Sequence, residues 1–211
     1  MDAEETGIIA RPPRQEGLLA WLLLEGAWLL LAVALVAFLG VAGGKPGIAI
    51  FALHGLVGLH VWRTERGRIA AWLRGSRRAL LAGVVGGLGL LAFNACYGWV
   101  LERAGFQPPD VQSFLRDVMP LPLVYLWGAV LAPFVEELYF RGRLYEALDR
   151  HLGASAAAWA SSVTFAAIHL IPEFFPALLV FALTLVWLRR RTGSLVAPIV
   201  AHAINNLVAL F

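Results

Sequence analysis

The sequence predicts an all-α fold: a polytopic bundle of about seven to eight transmembrane helices. Three observations carry that prediction. Hydrophobic residues make up 60% of the chain and charged residues only 15%, against about a quarter in soluble domains. The apolar residues gather in runs long enough to cross a bilayer. The arginines gather between those runs, as a topology signal does. Mean hydropathy is +0.74. A basic patch for nucleic acid would need a polar domain to carry it, and none is visible, so no nucleic-acid partner is expected. One cysteine, Cys96, excludes a disulfide framework and a cysteine-based metal site.

Residues 1–16 are polar, hold Pro12 and Pro13, and read as a cytoplasmic N-terminal tail. The run from Gly17 to Gly40 follows Asp2, Glu4 and Glu5 rather than a basic start, so it reads as an uncleaved anchor. Glu25 inside it is expected near the interface or turned into the bundle. Further spans are expected at about 47–62, 79–100, 120–148, 153–171, 174–189 and 194–211. Between the second and third spans, Arg63, Arg66, Arg68, Arg74, Arg77 and Arg78 interleave with Ile69, Trp72 and Leu73. That pattern predicts an interfacial basic segment, 63–78, on an anionic cytoplasmic leaflet. With Arg141, Arg143 and Arg150, and then Arg189 to Arg191, the basic turns alternate with non-basic ones. This places the N-terminus in the cytoplasm. Residues 17–120 are read as the N-terminal helices, and 121–211 as the segment that holds the polar residues considered next. Gly83 and Gly87 are spaced for close helix packing.

The polar residues inside the apolar runs are the candidates for chemistry. Glu136 and Glu137 are adjacent in the fourth span, where each charge costs about 3 kcal/mol to insert. Glu137 and Arg141 are four apart and can pair. Glu136 points about 100° away, so it is the acid left for proton transfer. Pro133 lacks an N–H and should kink the helix, leaving backbone groups that need partners. His169 lies 16 residues after Gly153 and Glu136 lies 17 before it, so across a hairpin both sit roughly 25 Å from the turn. Phe165 is one turn below His169, to wall the pocket or to pack. His202 and Asn206 share a face of the last span. His54 and His60 have no carboxylate at helical spacing and read as packing residues.

One acid, two histidines and an amide suit water activation beside a carbonyl. Glu136 would take a proton from water that His169 helps to hold. His202 and Asn206 would donate to the oxyanion. A zinc shell of Glu136, His169 and His202 is the alternative. The compact H-E-x-x-H arrangement is absent, which favours the metal-free version with no cofactor.

Three segments together resemble the CPBP family, the type II CAAX prenyl endopeptidase-like or ABI proteins. They are Glu136-Glu137-Leu138-Tyr139-Phe140-Arg141, Phe165-Ala166-Ala167-Ile168-His169, and His202-Ala203-Ile204-Asn205-Asn206. The resemblance covers roughly 121–211. It implies an intramembrane endopeptidase with catalytic residues on three helices around a cavity open to the cytosol. It assigns Glu136 and His169 to water activation and His202 and Asn206 to the oxyanion. Glu137, Arg141 and Phe165 support them. It leaves metal-dependent and metal-free mechanisms both open. The expected substrate is a membrane-associated protein or peptide, in a bacterial inner membrane. A non-enzymatic immunity or scaffold protein of the same fold is the second reading, and a proton-coupled transporter the third.

Overall fold

The computed structural model describes residues 17–44, 46–106 and 111–210. The expected tail, 1–16, lies outside the described residues. Those residues form eight helices: α1 Leu18–Ala42, α2 Pro46–Trp72, α3 Arg77–Arg103, α4 Val111–Val118, α5 Leu121–Leu152, α6 Ala154–Ala167, α7 Phe175–Thr192 and α8 Val196–Ala209. Four of them, α1, α3, α5 and the α7 rod, are long and apolar enough to cross a membrane. The protein is a helical integral membrane protein.

Not every expected span has the same character. In α2, apolar residues fill the first half and charges the second. The basic stretch 63–78 is not a helix of its own. Residues 63–72 continue α2, and Ser76 caps α3 by accepting from the N–H of Ala79 at 3.1 Å. α6 has 14 residues, about 21 Å, short of a full bilayer core. It stops at Ala167, with Leu170 beyond it at φ 57°, so the expected span to 171 ends early. α4 fills part of the 101–119 connection and is far too short to span.

Exposed Leu19, Leu23, Leu30, Leu31 and Phe38 cover α1, while Glu25, Ala32 and Val36 form its single buried stripe. Surface of this kind belongs in lipid. The tightest seam joins α3 to α8. A Cβ on Gly83 would meet Ala197 O at 2.7 Å, and one on Gly87 would meet Ala201 Cα at 3.2 Å. The absent side chains let the two backbones touch, as the glycine spacing predicts. Farther along the same seam Asn94 donates to Asn205 at 2.7 Å.

One end of the bundle is tied by charge. Arg143 holds Glu25 with two hydrogen bonds, 2.9 and 2.7 Å, and Glu65 with a third at 2.6 Å. Glu146 accepts from Trp72 at 2.7 Å and Arg189 at 2.9 Å, and pairs with Arg68. The three basic turns that the sequence puts on one side thus meet at one end. Arg143, however, is buried. It is a clamp between α1, α2 and α5 rather than a solvated topology charge. Glu25 is turned into the bundle, where His60 also binds it at 2.9 Å and stacks on Trp28.

Candidate active site

α5 carries the acids, and it is not a regular helix. Wide π turns at Leu126–Leu131 and Leu138–Leu144 flank an ordinary segment, Ala132–Glu137. Such turns recur at functional sites. In the first one the N–H of Ala132 reaches back five residues to Trp127 O. By that register the next donor, at position 133, would serve Gly128 O. Proline has no N–H to give, and the Nδ2 of Asn206 donates to Gly128 O instead, at 3.0 Å. The expected kink is therefore a widened turn whose orphaned carbonyl is capped from α8. Gly128 permits this approach, since a Cβ there would strike Leu210 at 2.7 Å.

The two glutamates separate as the helical geometry predicts. Glu137 is 0% exposed and Arg141 1%. Their bond is 2.8 Å. Arg141 also donates to Ala182 O at 3.3 Å and lies 4.4 Å over the Phe165 ring, so its charge is met on three sides. Glu137 Oε1 has a second partner, Nδ1 of His202, at 2.8 Å. That bond fixes the imidazole and turns its Nε2 toward Glu136 Oε2, 3.8 Å away. His202 is itself buried and packs edge-on against Phe181. Phe165 is 1% exposed and contacts His169, Phe140 and Phe181. It is the packed wall that the sequence allows as one of two roles.

His169 sits just past the end of α6, exposed on one side. Its Nδ1 lies 2.8 Å from Phe165 O, which as acceptor holds the proton there and leaves Nε2 bare. Its ring packs on Phe165, which also borders His202. Glu136 has a nearer partner that the sequence does not reveal. Nε2 of His54, on α2, lies 3.3 Å from its Oε1. A histidine 82 residues upstream with no acid at helical spacing gives no signal in one sequence. Asn206 joins the group through Gly128 and is contacted at 3.5 Å by Asn205.

Among the described residues, no three His, Cys, Asp or Glu side chains are grouped as a metal ion would need. A surface groove between α6 and α7 is lined by Trp159, Trp187, Arg190 and Arg191, and no site residue borders it.

Residues 118–208 match the model of the Rce1-like family, described as type II CAAX prenyl endopeptidase Rce1-like. The chain is also similar to the "Putative membrane peptidase YdiL" of Bacillus subtilis (strain 168), 26% identical over 102 residues. That alignment covers 48% of this chain and 42% of the relative, so the chain spans less than half the relative's length. No solved structure matches. The three motifs of α5, α6 and α8 lie inside the matched stretch, so the similarity to type II CAAX prenyl endopeptidase Rce1-like proteins is a similarity of residues 118–208.

Proposed function

We propose that this protein is an intramembrane endopeptidase that hydrolyses a membrane-associated protein or peptide by a metal-free, glutamate-based mechanism. The observation that carries the reading is the division of labour between adjacent acids. Glu137 is consumed by Arg141 and His202. Glu136 keeps a partly open carboxylate, 21% exposed, among histidines.

Glu136 Oε2 takes a proton from water held between it and His169, and the hydroxide adds to the scissile carbonyl. The tetrahedral oxyanion is met by Nε2–H of His202 and by an N–H of Asn206. Because Glu137 already holds Nδ1–H, His202 can donate from Nε2 only as the doubly protonated ring. The two carboxylates beside it supply the opposite charge. The amide of Asn206 has two N–H groups; Gly128 takes one and the other is left for substrate. Glu136 then passes its proton to the leaving amine, and the carbon–nitrogen bond breaks.

Glu136→Gln tests the reading. It should abolish cleavage of a membrane-tethered peptide while expression and unfolding temperature stay unchanged. Retained cleavage would remove Glu136 as the base. A deletion phenotype rescued by Glu136→Gln would favour the non-enzymatic scaffold.

A further inference from the structure

We propose that His54 is a positioning residue for Glu136, so that the proton-transfer site is completed by α2, outside the 118–208 segment. The proposal rests on the peptidase reading for its kinetic consequences and on geometry for the contact itself.

Trp127, in the first π turn, points Nε1–H at Nδ1 of His54 across 3.2 Å. The two rings meet edge to face at 5.6 Å and 83°. An indole N–H can only donate, so the nitrogen it meets must offer a lone pair. The ring's proton is then on Nε2, which donates to Glu136 Oε1 at 3.3 Å. With Oε1 so occupied, the carboxylate turns Oε2 toward Nε2 of His202, 3.8 Å away. α2 lies beside the turn that bears Glu136: a Cβ on Gly58 would be in ordinary contact with Val135, at 3.4 Å. His54 is itself largely sheltered, 14% exposed. The competing contact is Ile50 O, 3.0 Å from Nδ1. It would need the proton on the nitrogen that Trp127 needs bare, so the two arrangements are distinguishable.

The test uses the full-length protein in nanodiscs with ring-¹⁵N histidine, assigned with His54→Gln. The expected spectrum has an unprotonated Nδ1 and a protonated Nε2 at His54, and the Nε2 resonance moves in Glu136→Gln. A protonated Nδ1, or no response to Glu136→Gln, overturns the proposal. In turnover assays His54→Leu should lower kcat by about 100-fold at nearly constant KM, the cost of a misplaced reacting group. His54→Gln, which keeps an N–H donor, should recover most of it. Unchanged kcat in His54→Leu, or a loss that follows KM or unfolding temperature and is not recovered by Gln, also overturns it. If the wild type cleaves no peptide, the peptidase reading falls alone, and the resonances still decide the pairing.

Discussion

The proposed mechanism gives Asn206 a second job beside its bond to Gly128 O, and the two can be separated by pairing it with Pro133. Removing the amide in Asn206→Ala leaves Gly128 O buried without its donor. A buried acceptor without a partner costs about 1–3 kcal/mol. Interhelical hydrogen bonds in membranes average nearer 0.6 kcal/mol, with a maximum near 1.7. Gly128 O has no backbone donor to fall back on, so its loss belongs near the top of that range, about 1.5 kcal/mol. Replacing Pro133 by Ala supplies an N–H at position 133 that can serve the same carbonyl. In that background Asn206→Ala should cost about 0.5 kcal/mol, a coupling of about 1 kcal/mol in the double-mutant cycle. The four proteins would be compared by equilibrium unfolding in mixed micelles and by peptide turnover. Losing an oxyanion donor lowers kcat about 100- to 1,000-fold, and Pro133→Ala offers nothing to the oxyanion. The activity ratio with and without Asn206 should therefore be the same in both backgrounds. Additive stabilities would refute the capping of Gly128. Activity restored by Pro133→Ala would refute the oxyanion role, since Asn206 would then act only through the helix.

Breaking the buried ion pair should be costly on either side. Glu137→Gln and Arg141→Met should each destabilise by about 3–5 kcal/mol, since either change leaves a buried charge with only its remaining contacts, Ala182 O and the Phe165 face for Arg141 and His202 for Glu137. The double variant should recover most of the loss in unfolding measurements; equal losses in all three would contradict the pairing. On α3, Gly83→Ala should destabilise by about 1–3 kcal/mol because its Cβ meets backbone. Gly89→Ala, where a Cβ meets nothing, should stay within about 0.5 kcal/mol, and a reversed order of unfolding temperatures would contradict the seam. Turnover should persist in excess chelator, with no stoichiometric metal in the purified protein by elemental analysis; loss of activity in chelator that zinc restores would replace the metal-free mechanism.

The helices were legible because bilayer burial writes itself into long apolar runs, and Glu137–Arg141 because four residues is one helical turn. The structure sets Glu136 of the first motif 3.8 Å from His202 of the third and bonds Asn206 to Gly128 O on α5. Three features were hidden, each for a physical reason. His54 reaches Glu136 from another helix, and tertiary contact leaves no local spacing. Arg143 looks like any loop arginine until Glu25 and Glu65 close around it. The end of α6 at Ala167 depends on the turn at Leu170, which residue type did not announce. Pro133 gave a correct warning of unpaired backbone, but sequence could not say that a π turn and Asn206 would settle it.

Two glutamates side by side in an apolar helix make sense as a charge count. Glu136 and Glu137 bring two negative charges and Arg141 one positive charge. In a low-dielectric surround the set is left with one uncompensated negative charge, which a single proton on one of the three nearby histidines would balance. Glu137 is fully buried and committed to Arg141 and His202. The remaining charge therefore resides at Glu136, the acid that solvent can reach. Water drawn there, as the proposed mechanism requires, would meet a carboxylate with one oxygen 3.3 Å from His54 and the other 3.8 Å from His202. In the proposed mechanism, moving a proton from that water to Glu136 would shift the negative charge onto the hydroxide and then onto the oxyanion, beside His202 and Asn206. The net charge of the site does not change at any step. A lone glutamate could not be buried there at tolerable cost, and a glutamate paired as tightly as Glu137 could not leave its partner. In the proposed mechanism, Arg141 cancels the adjacent acid and His54 contacts the remaining one, so that Glu136 would stay charged, sheltered and able to take a proton.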